Sequence, residues 1–322
     1  MSQPTRGDVH VNRPLTNISV AFLQAEEDFT ASKVFPVVPV TKQSDRYFQY
    51  DRKQWFRSNA KKRAPGSESA GGGFDIDNTP TYFADVWAIH KDVDDQTRAN
   101  ADIPINLDRD ATRWTTLQQL LRKELEFVDT HFTTGVWTGS STGTDIVPAT
   151  KWDAAGSDPV DDVLLEKDAT KERTAFMPNT IVVTPAVHRA LKSNASILDR
   201  VKHTQFASIT EDMLARLFEV DRYMVARATR DKNPEGAAED FEYVFGTEEM
   251  LLVYSNPTPS LLTPSGGYTF AWTGLFGAQA AGARMKRFRM EHLASDRIES
   301  EMAWDQKLVA PELGVFFINT LT

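Results

Sequence analysis

Gly139-Ser140-Ser141-Thr142-Gly143 carries the letters of a G-x-S-x-G nucleophile elbow. A serine in that motif is reactive only where a strand runs into it and a helix leaves it, because the tight turn strains and exposes the hydroxyl. Here a helical stretch and Trp137 precede the motif and Pro148 follows within a polar stretch, so Ser141 is expected in an ordinary loop and not as a nucleophile. His90-Lys91-Asp92-Val93-Asp94-Asp95 gathers one imidazole and three carboxylates, donors that suit hard cations. It lacks the central glycine and closing glutamate of a calcium loop, and a charged turn ahead of a helix accounts for it with less. The histidines, His10, His90, His131, His188, His203 and His292, form no H-E-x-x-H and no close pair. Neither G-x-x-x-x-G-K nor a strand followed by G-x-G-x-x-G is present. No reaction class emerges; catalytic, cofactor-binding and metal-ligating residues are all left unassigned, and the expectation is a protein that is not an enzyme.

The elements that would position any chemistry come from a chain of 322 residues, 41% hydrophobic and 25% charged, enough for one large core or two ordinary ones. Gly and Pro together number 33 (17 + 16), close to average usage, which excludes low-complexity and collagen-like chains. Cysteine is absent, which excludes disulfide frameworks, Cys-ligated metals and thiol nucleophiles. With 36 Lys and Arg against 45 Asp and Glu the net charge is −9, the wrong sign for a general phosphate binder. The basic cluster Arg284, Lys286, Arg287 and Arg289 is therefore expected to be salt-bridged rather than bound to phosphate. The start of the chain has no signal-peptide pattern and no apolar run approaches the ~20 residues of a membrane span. Synthesis and use in the cytoplasm, without a membrane partner, are the expectation.

Along the chain, residues 1–34 read as a polar arm with one short helical candidate at 20–29. Val34-Phe35-Pro36-Val37-Val38-Pro39-Val40 is β-branched but broken by prolines, which restricts it to an edge strand or connector. Phe48 and Tyr50 alternate with Gln49 and Asp51, and similar alternation returns at 74–77 and 82–90. Between them lies a Gly-rich stretch too long for a tight turn. The pattern predicts a long hairpin with a flexible tip.

The two limbs of that hairpin differ in charge. Residues 46–63 hold seven bases (Arg46, Arg52, Lys53, Arg57, Lys61, Lys62, Arg63) and one acid (Asp51), a net of 7 − 1 = +6. Residues 71–95 hold six acids, Asp75, Asp77, Asp85, Asp92, Asp94 and Asp95, and one base (Lys91), a net of 1 − 6 = −5. Such limbs attract each other or opposite limbs elsewhere. A hairpin this long is marginal alone in water, so another domain or another subunit must cover it; Trp55 and Phe56 lie within it.

A helix is predicted over 111–132, capped by Asp108 or Asp110, with Trp114, Leu117, Leu121, Leu125, Val128 and Phe132 on one face and an Arg122–Glu126 pair on another. At 1.5 Å per residue it spans roughly 33 Å, the length of a spine. Residues 135–150 form a Gly, Ser and Thr loop and a domain boundary. Beyond it, helices at 158–170, 185–191 and 210–220 alternate with strands at 180–184, 222–228 and 241–245, an α/β unit. The remainder reads as strands at 250–254, 267–273, 283–292 and 313–318.

The arm, Phe35-Pro36-Val37-Val38-Pro39-Val40, the hairpin tip Arg63-Ala64-Pro65-Gly66-Ser67-Glu68, and Asp92-Val93-Asp94-Asp95-Gln96-Thr97-Arg98-Ala99-Asn100-Ala101 before a long helix resemble a tailed-bacteriophage major capsid protein. That is the Hong Kong ninety-seven fold, shared with encapsulin shells and the herpesvirus capsid floor. The resemblance in order covers essentially the whole chain. It implies an α+β fold with an N-terminal arm (1–34), a peripheral-domain strand (35–45), an extended E-loop (46–95) and a peripheral domain with spine helix (96–150). An axial domain (151–283) and peripheral C-terminal strands (284–322) complete it. It also implies pentamers and hexamers closing into an icosahedral shell, the E-loop lying on a neighbouring subunit through Arg46 to Asp77. The implied partners are further copies of the chain, a separate scaffold protein, a portal, a decoration protein and packaged double-stranded DNA held without sequence-specific contacts. The implied location is the virion, assembled in the bacterial cytoplasm. An encapsulin-like compartment shell and a soluble α/β hydrolase-like enzyme are the alternatives.

Overall fold

Among the described residues, apolar runs and alternating patterns place most strands in two larger sheets, with three further two-stranded pairs. The computed structural model describes residues 24–50, 52–101, 106–202, 209–258, 264–275 and 283–322. After the short helix α1 (Ala31–Val34), the chain forms β1 (Val37–Val40), β2 (Ser44–Arg46), β3 (Gln49–Tyr50) and α2 (Arg52–Trp55). It returns through β4 (Ile76–Asp77), β5 (Thr81–Phe83) and β6 (Asp85–Asp94), followed by α3 (Asp95–Asn100), α4 (Leu107–His131) and α5 (Pro159–Thr174). Next come β7 (Thr180–Val183), α6 (Pro185–Ser193), α7 (Ala195–Val201), α8 (Glu211–Leu217) and β8 (Arg222–Val225). The last strands are β9 (Thr229–Asp231), β10 (Phe241–Tyr243), β11 (Met250–Val253), β12 (Gly267–Trp272), β13 (Ala283–Met290), β14 (Ser295–Leu308) and β15 (Gly314–Phe317).

The smaller sheet has the order β15-β11-β7-β8, with β7 and β8 parallel. Its inner strands are apolar at nearly every position because both faces are covered. Ile181, Val183, Leu252, Val315 and Phe317 face a core closed by α5 to α8, whereas Val182, Leu251, Val253 and Phe316 face a second core against α4. Full burial of each such side chain is worth roughly 1.5–3 kcal/mol.

The larger sheet is built on β14, which pairs with β6 over residues 295–304 and with β13 and then β12 along its other edge. β1 adds to β12 in parallel. β14 was missed in the sequence because Asp296, Glu299, Glu301 and Asp305 disguise it; its buried residues, Ile298, Ser300, Ala303 and Trp304 among them, do not keep a clean period of two. Its charges are satisfied across strands: Arg284–Glu301 at 2.7 Å, Lys286–Glu301 at 2.5 Å and Arg287–Asp296 at 2.8 Å, so the expected salt-bridging of the basic cluster holds. On the other edge Arg297 clasps Asp92 with two bonds of 2.7 and 2.8 Å. Opposite charges facing across a ladder contribute ~0.2–1 kcal/mol each.

Several expectations change as a result. Residues 85–94 are not an unsupported limb of the hairpin; they are β6, hydrogen-bonded to β14. The boundary expected at 283 does not follow the sheets, since β12 lies in the larger sheet and the final strand β15 in the smaller one. Within the expected arm, residues 1–23 lie outside the described residues, while Phe29, Ala31 and Val34 are buried in the core. Glu124 holds that segment, accepting bonds from the Thr30 amide at 2.7 Å, the Thr30 hydroxyl at 2.8 Å and the Ala31 amide at 3.0 Å. Phe35 packs so tightly over Gly267 that a Cβ there would lie 2.3 Å from its ring.

The spine helix is real but starts earlier and faces differently. Asn106 caps α4 by accepting from the Arg109 amide, leaving Asp108 and Asp110 in the first turn, where their charge suits the helix N-terminus. Its buried positions are Ala111, Thr115, Gln119, Glu124, Phe127 and His131. Gln119 bridges the two strands beneath, donating to Trp87 O and Ser300 O at 3.1 Å each. Small and polar residues on this face let the helix lie close on the sheet, so Leu117, Leu121, Leu125 and Val128 flank the core, Phe132 is buried, and Trp114 is turned to the surface at 38% exposure. Arg122 stacks over Trp87 at 4.4 Å and Glu126 accepts from Trp304 Nε1 at 2.8 Å, which takes both from the pairing expected between them.

His131 gives the fold a pH dependence. Nε2 lies 3.3 Å from Gln306 O and Nδ1 has no hydrogen-bond partner, so burial pushes its pKa down to about 4, because a second ring proton would find no acceptor. The unfolded chain, with an ordinary histidine near 6.5, binds this proton first, so stability is full above pH 6.5 and falls toward pH 4. Urea midpoints of the unassembled chain should decline across that window, and His131→Gln should flatten the decline; an equal slope in the variant would assign it to other groups.

Candidate assembly interface

The segment between β1 and β6 leaves the body as a hairpin. β2 pairs with β5 and β3 with β4, antiparallel, and residues 56–75 cross between the limbs without regular structure. The base is anchored by aromatic stacking: Phe270 of β12 lies 4.6 Å from the Tyr82 ring and 5.6 Å from the Tyr47 ring. Asp305 of β14 accepts from the Phe83 amide at 2.7 Å, tying the hairpin to the central strand.

Farther out, Gln49 Nε2 donates to Val309 O of the body at 3.2 Å. Tyr50, Trp55 and Phe74 form a ring cluster with centroids 5.3–6.1 Å apart. Phe48 (60% exposed), Trp55 (55%), Phe56 (60%), Phe74 (54%) and Ile76 (47%) nevertheless remain in water. Exposed apolar residues scattered singly are ordinary, but five gathered on one hairpin form a patch of the kind that marks an interaction surface. Beneath it an open groove of about 1290 Å³ separates Phe48, Tyr50, Trp55 and Phe56 from Phe176 and Leu313 of the body.

The charges of the hairpin point outward as well. Arg46, Arg52, Lys53, Arg57, Lys61, Lys62 and Arg63 are all exposed. Among the described residues Arg46, Arg52, Arg57, Lys61 and Lys62 make no ion pair, and Arg63 donates to Ser67 O. Asp75 and Asp77 are exposed too; Asp77 accepts from the Thr79 amide at 2.8 Å, which lowers its pKa. In contrast, Asp92 is clasped by Arg297, Asp95 by Arg289 at 2.6 Å, and Asp94 caps α3 through Thr97. Asp92, Asp94 and Asp95 are thus satisfied within the chain, while Arg46, Arg52, Arg57, Lys61 and Lys62 of the hairpin make no ion pair among the described residues.

The other candidates are structural. Ser141 donates its hydroxyl and its amide to the buried Glu166, both at 2.7 Å, which ties the loop to α5. His90, Asp92 and Asp94 lie on β6, a strand rather than the expected turn. Among the described residues no group of three acids or histidines is placed to hold a metal ion, and no helix is long and apolar enough to cross a membrane. Sequence reasoning singled out Trp55 and Phe56 but missed Phe74 and Ile76 as members of the patch; the alternation at 74–77 marked a strand, and only its lack of a covering layer marks a surface.

No family model matches the chain. It is 25% identical over 218 residues to the major capsid protein of Burkholderia phage BcepMu, covering 68% of this chain and 69% of that protein. Among solved structures it is similar to a phage-related protein of Bordetella bronchiseptica RB50 (TM-score 0.67, 21% identity, 92% and 94% of the two chains). It is also similar to the mature capsid of bacteriophage PhiM1 (0.58, 11%, 98% and 98%) and to the SrpI encapsulin of Synechococcus elongatus PCC 7942 (0.57, 14%, 96% and 94%). The fold is that of phage capsid subunits, and the resemblance read from the sequence is borne out.

The patch makes no contact that the body depends on. Trp55→Ser with Phe56→Ser should shift the stability of the unassembled chain by no more than ~0.5 kcal/mol, as surface substitutions do. Thermal denaturation of monomeric chain measures this, and a loss above ~2 kcal/mol would mean that these rings belong to the core of the chain.

Proposed function

We propose that this chain is the major capsid protein of a tailed bacteriophage, many copies of which join as pentamers and hexamers and close into an icosahedral shell around double-stranded DNA. One observation carries the reading beyond the fold: a protruding hairpin on which Phe48, Trp55, Phe56, Phe74 and Ile76 stand exposed together with Arg46, Arg52, Arg57, Lys61 and Lys62. A heterologous contact, hairpin of one copy on body of the next, generates rings and closed shells. The named relative supports a phage capsid over an encapsulin-like compartment, and the structural role of Ser141 favours neither over an enzyme but removes the one motif an enzyme reading had.

In this reading the outer hairpin, residues 44–83, is the E-loop, α4 the spine, the larger sheet the peripheral domain, and the smaller sheet with α5 to α8 the axial domain. The net charge of −9 suits a container that encloses DNA without adhering to it. A separate scaffold protein, a portal and a decoration protein are its partners in the phage, and the bacterial cytoplasm its place of assembly.

Particle mass tests this. Light scattering and negative-stain imaging of the purified chain, alone and with the products of neighbouring genes, should give uniform shells in the megadalton range; a strictly monomeric species under both conditions would refute the reading. Trypsin supplies a second check. The free chain should be cut first after Lys61, Lys62 or Arg63, and particles should resist that cut if the hairpin is covered on assembly.

A further inference from the structure

Among the described residues the larger sheet ends in three strands bonded along one side only, β1, β6 and β13. Such an edge presents a row of unpaired amides and carbonyls that a strand from elsewhere can complete. β1 is blunted by Pro39, which has no amide proton to give. β6 carries Asp85, Asp92 and Asp94, whereas β13 carries Arg284, Lys286, Arg287 and Arg289. The two long edges of one sheet therefore differ in sign, and β13 is the edge that selects for acids.

Successive side chains of β13 alternate between the faces of the sheet, and each face shows one exposed apolar group beside cations. Arg287 lies opposite Ile298, which packs on Ala111 of α4, so Met285 (42% exposed), Arg287 and Arg289 share the helix side. Phe288 (40% exposed) shares the other side with Arg284 and Lys286. Pairing with Asp296 still leaves the Arg287 side chain 56% exposed. Because α4 lies over β6 and β14, an open groove of about 610 Å³ runs between its first turns and β13. Met285, Arg287 and Ile298 line it from the sheet, and Arg109, Thr112 and Arg113 from the helix. Among the described residues Arg109 reaches one acid, Asp110 at 3.5 Å, and Arg113 reaches none.

We propose that β13 and this groove bind an extended acidic segment of another protein, which adds as a strand to the free edge of β13, seats a side chain beside Met285 and sets its acids against Arg109, Arg113 and Arg287. Backbone bonds supply an affinity indifferent to sequence, and the groove with its cations selects the segment. A second copy of β13 is excluded as the occupant, because pairing the strand with itself would bring two sets of four cations together. The site uses no residue of the hairpin on which the capsid reading rests, so binding is measurable whatever the chain assembles into.

Fluorescence polarisation of a labelled peptide against the full-length chain tests this. Acetyl-Glu-Glu-Val-Glu-Glu-Val-Glu, which puts acids and a valine on both faces of a strand, should bind saturably while its lysine counterpart does not. No saturable binding of the acidic peptide would overturn the proposal. Arg109→Glu with Arg113→Glu, both exposed, should leave the thermal midpoint unchanged and weaken the peptide about tenfold. Unaltered binding in that variant would place the peptide elsewhere and refute the site. Methylating alternate peptide nitrogens should abolish binding in one of the two settings, the one whose amides face β13. Binding that survives both settings would reduce the contact to charge attraction and rule out strand addition. A DNA duplex of about 20 base pairs is the last arm: binding as tight as the peptide's, with the same loss in the double variant, would reject the acidic segment in favour of a phosphate site.

Discussion

The structure depends on β14 being bonded along both edges. Its 14 residues carry β6 on one side and β13 and β12 on the other, and through β12 they carry β1 and the chain entry at Phe35. A strand with so many acids would be a poor central strand if its charges were left alone. Instead Arg284, Lys286 and Arg287 of β13 neutralise Glu301 and Asp296, and Arg297 of β14 itself clasps Asp92 of β6, so the ladder is held by backbone bonds and by paired side chains together. The helix α4 then lies across β6 and β14, with Gln119 bonded to both strands.

The N-terminal segment welds this sheet to the other. Glu124 takes three hydrogen bonds from Thr30 and Ala31, while Ser255 donates to Val34 O at 2.7 Å and Thr269 to Phe35 O at 3.1 Å. Burial raises the Glu124 pKa, and those three donors work against the rise. Phe35 meets Phe127, His131 and Trp137 at centroid distances of 5.1, 4.8 and 6.3 Å, so one aromatic cluster joins helix, sheet and the loop after the helix.

The proposed function rests on what the hairpin leaves exposed. A subunit that spent its cations internally throughout would have no reason to assemble, and one that spent none would aggregate without register. The hairpin is anchored at its base, where Tyr47 and Tyr82 stack on Phe270 and Asp305 holds Phe83. Beyond that point Phe48, Trp55, Phe56 and Phe74 stay exposed beside Arg46, Arg52, Arg57, Lys61 and Lys62, which make no ion pair among the described residues.

The sequence by itself determined the long helix, the apolar strands of the smaller sheet, the hairpin with its basic limb, the salt-bridged fate of the basic cluster and the inert setting of Ser141. Each is a local pattern: a period of 3.6, a run of β-branched residues, a Gly-rich tip between alternating limbs, or a charge balance. It also carried the order of elements that resembles the phage capsid fold. Tertiary structure alone decided that 85–94 is an inner strand, that 314–317 closes the distant sheet, and that Trp114 is turned outward while Thr115 and Gln119 are buried. The reason is common to all three: whether a polar residue faces water or a partner is set by what lies across from it, and β14, whose partners are up to 304 − 85 = 219 residues away, announces none of them in its own composition.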